Sequence, residues 1–208
     1  MGWALQISLF DLALVALVYG FVIVVIGVSE ILRRKLRLGT YTTRRVNHLL
    51  AGDAILSIPF FSNVIYPLLL PIGMGLMTAL AFASGKESFL TQTMVDEKRY
   101  SRLHAYGPVF YIISIGVLLI VLWSQKPIIM AAVMVMAWGD GAASAITPSL
   151  KRRHLYPFSD KSIEGSTMMF VFAFAGALLS YLIAASTGIV TAGLGPVFML
   201  SLVGALIG

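Results

Sequence analysis

Two short stretches hold the residue types that phosphate chemistry needs. Trp138-Gly139-Asp140-Gly141 closes an apolar run that begins near Pro127, and Lys161-Ser162-Ile163-Glu164-Gly165-Ser166 opens the next one, at Thr167. A basic segment, Lys151-Arg152-Arg153-His154, lies between them. A carboxylate at the end of a membrane segment is expensive to keep unless it has a use. Mg²⁺ is commonly held by one or two carboxylates plus substrate phosphates, which makes Asp140 the metal candidate. Gly139 and Gly141 let a phosphate or another backbone come close. Lys161, Ser162, Gly165 and Ser166 bring an ammonium, two hydroxyls and helix-start N–H groups to one place, where anions are favoured. Glu164 is a second acidic candidate, as metal ligand or base. Each stretch also has a plainer reading. Asp140 can cap a helix end or pair with a neighbouring Lys or Arg, and Lys161-Ser162 can lead an ordinary capping box. The stretch is not a Walker A loop, since Gly-Lys-Ser/Thr at that spacing is absent.

A third stretch, Thr43-Arg44-Arg45-Val46-Asn47-His48, stands at the mouth of an apolar run. Helical spacing puts Arg44 and His48 on one face, with Asn47 and Asp53 offset. A basic run at a membrane edge ordinarily marks topology and lipid headgroups. Ionisable residues within a span default to a functional hypothesis, so Arg44, Arg45 and His48 join the candidates. The loop 86–102 reads as a solvated connector, and His104 and His154 as surface residues.

The elements that must position these groups are membrane helices. The 208 residues are 59% hydrophobic and 12% charged, with mean hydropathy +0.92. A soluble domain carries about twice that charge. No cysteine is present, which excludes disulfides and thiolate metal sites. No charged n-region or cleavage site precedes the first run, so an uncleaved first span is expected. Apolar runs fall near 11–31, 46–61, 64–84, 107–124, 127–147, 167–186 and 190–208. They predict an all-α, polytopic bundle of about seven spans forming a single integral membrane domain over 1–208. Pro59 with Ser62-Asn63, Gln125-Lys126-Pro127 and Thr187-Gly188 mark tight turns. Of the 15 positive residues, all but Lys126 fall in the loops 33–45, 86–102 and 151–161. With seven spans these loops share one side, which the positive-inside rule makes cytosolic, with the N-terminus outside. Among the acids only Asp11 is expected on the outer side.

The order of these motifs is familiar. Thr-Arg-Arg-x-x-His, then Tyr106-Gly107-Pro108-Val109-Phe110-Tyr111, then Gly139-Asp140-Gly141-Ala142-Ala143, then Lys161-Ser162-x-Glu164-Gly165-Ser166-x-Met168-x-Phe170 resembles the CTP-dependent lipid-alcohol kinases. These act on phytol, farnesol, dolichol or polyprenol and are similar in turn to phosphatidate cytidylyltransferase. The resemblance covers roughly 43–175. It departs at Thr147-Pro148, where the family commonly has Gly-Arg, and the Asp-Asn stretch the family often carries after the last run would fall beyond Gly208. A missing C-terminal piece is one expectation from this. The resemblance implies transfer of the CTP γ-phosphate to a prenol hydroxyl with Mg²⁺, at the cytosolic face of a cell membrane, or an endomembrane in a eukaryote. Its expected partners are an isoprenoid alcohol, CTP and membrane lipids, with no nucleic acid, and homo-oligomerisation is left open. On this reading Asp140 and Glu164 hold metal, and His48 or Glu164 is the base. Arg44, Arg45, Gly139, Gly141, Lys161, Ser162, Gly165 and Ser166 bind nucleotide or phosphate. A cytidylyltransferase making a CDP-lipid, attacking the α-phosphate, is the first alternative. A small non-enzymatic lipid or anion transporter is the second, and it predicts polar residues deep in several spans.

Overall fold

The computed structural model describes residues 8–36, 40–83, 107–147, 150, 153–159, 161–190, 199 and 201–205. Its described residues form helices α1 (Leu9–Leu36), α2 (Thr40–Gly52), α3 (Ile65–Ala83), α4 (Gly107–Leu122), α5 (Lys126–Ile146) and α6 (Ile163–Ser186). Two 3₁₀ stretches, Asp53–Phe60 and Trp123–Gln125, continue α2 and join α4 to α5. The all-helical class is as the hydropathy pattern predicts. Among the described residues, three stretches are long and apolar enough to cross a membrane: Leu9–Leu36, Val109–Ile146 and Ile163–Ser186. Ile65–Leu80 is a shorter apolar helix. Against the seven expected runs, the second (46–61) divides between α2 and the first 3₁₀ stretch, and most of the seventh lies outside the described residues. So do the loop 86–102, His104, Lys151 and Arg152.

Local chemistry explains the breaks. Pro59 cannot donate a backbone hydrogen bond, and the 3₁₀ stretch ends at Phe61, whose backbone is extended. Asn63 Oδ1 then accepts from Ile65 N–H at 3.1 Å as α3 begins. Pro127 sits in the first turn of α5, where its missing N–H costs nothing. Gly188, at φ +73°, ends α6 in the left-handed conformation that glycine adopts freely. Ile189 N–H then bonds back to Ala184 O at 3.0 Å.

Packing follows from which faces are small. On α1, Val15, Val18, Val22 and Val25 form a buried stripe at helical spacing, while Leu17, Ile23, Val24 and Val28 remain exposed, as side chains facing lipid would. The core joins Ile55 and Ile58 to Leu119 of α4 and to Ile129, Met130, Val133 and Met134 of α5. Glycine and alanine let α5 and α6 approach closely. A Cβ on Gly176 would stand 2.9 Å from Met134 O, and Ala173 and Ala177 are fully buried. Gly52 and Ala137 touch where α2 crosses α5, with no room for a Cβ at position 52.

Candidate active site

Helices α1 to α5 enclose a cavity of about 460 Å³. Its body is apolar, lined by Val22, Ile58, Leu70, Ile115, Leu119 and Val133 among others. Along α4 the lining runs from Gly107 to Leu119, about 18 Å of helix. The polar groups gather at the Gly107 end: Arg45, Asn47 and His48 from α2, Tyr111 from α4 and Asp140 from α5. Asp140 is exposed there, while the α2 groups are half-buried. Asp140 and Arg45 act on the charge of His48 with opposite sign.

The close crossing of α2 and α5 sets this geometry. A Cβ on Gly141 would stand 3.0 Å from Leu49 Cβ and 3.5 Å from Arg45 O, so Gly141 is where α2 rests on α5. Gly139 faces the other way, where a Cβ would stand 3.2 Å from Ala173 Cβ and 3.4 Å from Met169 O on α6. Asp140 therefore projects between two helix contacts, and both glycines serve close backbone approach. Trp138 fixes the register, donating from its indole N–H to Asp53 Oδ1 at 2.7 Å, where α2 becomes 3₁₀. Asp53, an acid the sequence places within a span, is thus a partnered group.

Three buried polar atoms at the mouth have no hydrogen-bond partner among the described residues: Asn47 Oδ1, His48 Nε2 and Tyr111 OH. Leaving such an atom unpaired costs about 1–3 kcal/mol each, so three together mark a place built for a polar ligand group. The rings of His48 and Tyr111 lie 4.7 Å apart between centroids, tilted by 59°. Elsewhere in the cavity the polar groups are satisfied. Thr78 Oγ1 donates to Met74 O at 2.8 Å, and Tyr19 OH donates to Leu69 O at 2.5 Å.

Of the sequence candidates, the cavity brings together Arg45, His48 and Asp140. Arg44 lies in α2, its side chain outside the described residues. Lys161, Ser162, Glu164, Gly165 and Ser166 form a separate unit at the start of α6. Ser162 is its N-cap, its Oγ accepting from Gly165 N–H at 3.1 Å, which is the capping the sequence allowed for. Glu164 holds the preceding loop, accepting from His154 N–H at 3.0 Å and meeting His154 Nδ1 at 2.6 Å. Lys161 and Ser166 are exposed. A Cβ on Gly165 would stand 3.4 Å from Thr147 Oγ1, seven residues or about 10 Å further along α5 than Asp140. The two units thus lie near one end of the bundle but do not merge. Among the described residues, no three His, Cys, Asp or Glu side chains cluster as a metal cage.

Sequence reasoning passed over Tyr111 as a site residue and set Asn47 aside. The signal was available for Tyr111: a tyrosine hydroxyl in an apolar run needs a partner when buried.

The chain is similar to several curated proteins. A phytol kinase of Synechocystis sp. is 30% identical over 155 residues, covering 72% of this chain and 63% of that protein. A probable chloroplastic phytol kinase of Triticum aestivum is 30% identical over 151 residues, covering 67% and 49%. A probable chloroplastic phytol kinase 1 of Oryza sativa subsp. japonica is 33% identical over 150 residues, covering 67% and 45%. The chain thus spans less than two thirds of the length of these relatives. No family model and no solved structure matches it.

Proposed function

We propose that this chain, a relative of the phytol kinases, transfers the γ-phosphate of CTP to the hydroxyl of an isoprenoid alcohol at a membrane surface. One observation carries the reading: an apolar cavity of about 460 Å³ gathers its unpaired polar atoms at a single end, beside an exposed carboxylate. An isoprenoid alcohol has that distribution, a long hydrocarbon tail with one hydroxyl. The volume falls within the range of small-molecule sites. The alcohol enters tail-first among α1, α3 and α4, with its hydroxyl at His48, Tyr111 and Asp140.

In the reaction the alcohol O–H bond breaks and its proton passes to His48. The alcohol oxygen bonds to the γ-phosphorus, and the nucleoside diphosphate leaves. Phosphoryl transfer asks a protein mainly for positioning and charge stabilisation. Asp140 fits an Mg²⁺ ligand, being an exposed carboxylate at the mouth of the cavity. Mg²⁺, when bound there, supplies charge neutralisation for the phosphates. Arg45 holds a phosphate or headgroup. Lys161, with the free N–H groups and hydroxyls at the start of α6, holds the far end of the nucleotide, about 10 Å along α5 from Asp140. Glu164 would have to release His154 before it could bind metal. The mouth lies at Arg45, within the basic stretch 33–45, and the positive-inside rule makes that side the cytosol for a cell membrane.

Purified protein given phytol and CTP labelled at the γ- or the α-phosphate tests this. Label reaching the lipid from the γ position is the expected result. Label from the α position identifies a cytidylyltransferase, and lipid flux in proteoliposomes without nucleotide identifies a transporter. Replacing CTP by ATP in the same assay tests the nucleotide.

A further inference from the structure

We infer that Tyr111 and His48 form a donor–acceptor clamp for the substrate hydroxyl, Tyr111 donating to its oxygen and His48 accepting its proton. The inference rests on the reading of the cavity as the alcohol site. Tyr111 and His48 both line the apolar cavity, and Tyr111 OH and His48 Nε2 are buried atoms that lack hydrogen-bond partners among the described residues. Their rings are in contact, at 4.7 Å between centroids, so the two polar atoms serve one small volume. The tyrosine hydroxyl lies near the close crossing of α2 and α5, 3.7 Å from where a Cβ on Gly52 would stand.

Complementarity then identifies the ligand group. A tyrosine hydroxyl can donate, and a neutral imidazole can accept at Nε2. An alcohol satisfies both at once, because its oxygen accepts while its proton is given. That hydrogen bond to His48 lies along the path the proton takes when the O–P bond forms, and Tyr111 orients the attacking lone pair. The clamp therefore favours the alcohol and releases the phosphorylated product, whose terminal oxygens carry no proton to give and bring charge into an apolar cavity.

The test compares binding of phytol, its methyl ether and the alkane phytane to wild-type protein and to Tyr111→Phe in detergent. Phenylalanine keeps the ring against His48 and removes only the hydroxyl. A neutral hydrogen bond corresponds to roughly fivefold in affinity, larger when its loss leaves a buried atom unpaired. Tyr111→Phe should therefore weaken phytol and the ether by about five- to tenfold and leave phytane unchanged, because Tyr111 donates to either oxygen. In the wild type, phytol should bind more tightly than the ether, which has no proton for His48. Equal loss of all three ligands would make Tyr111 a packing residue only and overturn the clamp. So would wild-type affinity of the variant for phytol. If wild-type protein binds phytol and phosphorylates it while Tyr111→Phe changes nothing, the clamp alone fails. If wild-type protein shows no saturable phytol binding, the alcohol reading of the cavity fails and the clamp with it.

Discussion

Two polar clusters stand at opposite ends of this bundle, and their difference separates structure from chemistry. At one end Asp11 is fully buried, yet its carboxylate accepts from Ser62 N–H at 3.0 Å and from Ser62 Oγ at 2.5 Å. Lys126 attracts it electrostatically and donates to Phe61 O at 2.8 Å, with its ammonium 4.4 Å above the Trp123 ring. These groups tie the start of α1 to the Phe61–Ser62 turn and the turn between α4 and α5. At the other end Asn47, His48 and Tyr111 each keep a buried polar atom without a partner among the described residues, and Asp140 is exposed. Both clusters contain an acid in an apolar helix, which by residue type alone earns a functional hypothesis. Satisfaction distinguishes them: the first spends its hydrogen bonds on holding turns together, while the second leaves buried polar atoms without partners among the described residues, which is what the proposed site needs.

The largest expected contrast comes from replacing the acid in each cluster. Asp140→Asn should reduce phosphoryl transfer on the order of a thousandfold, because a metal ligand contributes several kcal/mol to the transition state. Its thermal unfolding should be unchanged, since the side chain is exposed. Asp11→Asn should do the reverse, lowering Tm by several degrees while turnover at low temperature stays near wild type. Turnover and unfolding measured on both variants decide the matter. A variant of Asp140 that keeps more than about a tenth of the activity removes it from the metal site.

His48→Gln comes next. General-base catalysis contributes roughly 10²- to 10⁴-fold, and glutamine cannot accept the proton near neutral pH. Turnover should fall by at least the lower figure, with CTP affinity nearly unchanged. Lys161→Met, which removes the ammonium proposed to hold the nucleotide, should weaken CTP binding; an equal loss in His48→Gln would move His48 into the phosphate site and leave the base unassigned.

A smaller effect is expected at the helix crossing that shapes the mouth. Gly52→Ala forces a Cβ against Ala137, so the crossing beside Tyr111 must shift. Overpacking of this kind costs about 1–3 kcal/mol. Both stability and phytol affinity should fall, whereas Gly20→Ala, with open space around it, should change neither.

These contrasts also show what was legible in the sequence. The turns were, because Pro59, Asn63, Pro127 and Gly188 act locally through missing donors, a side-chain acceptor and a positive φ. The Ser162 cap was legible for the same reason: its partner lies three residues away. Asp140, His48 and Arg45 were readable as charged groups at the ends of apolar runs. The bond from Trp138 to Asp53 and the meeting of His48 with Tyr111 were not, since each joins residues on different helices. Nor could hydropathy foresee that Asp11 and Lys126, the two charges left on the expected outer side, would attract each other there. Periodicity assigns a residue to a face, but only packing decides whether that face finds a partner.

The smallest effect expected is also the one that most sharpens the comparison. Sequence spacing makes Glu164 a second metal ligand or the base, yet its carboxylate meets the His154 backbone and ring and does not line the cavity. By the criterion that separates Asp11 from Asp140, a carboxylate so occupied belongs to the holding class. Glu164→Gln keeps an acceptor oxygen for the His154 N–H and removes the charge. Turnover should then stay within a few-fold of wild type at saturating Mg²⁺, and the Mg²⁺ dependence should be unaltered. A loss approaching that of Asp140→Asn, or a marked rise in the Mg²⁺ needed for half-maximal rate, would mean that Glu164 leaves His154 during turnover. In that case the two units along α5 close into one site when substrate binds, and hydrogen-bond satisfaction in the resting protein would no longer separate the holding groups from the reacting ones.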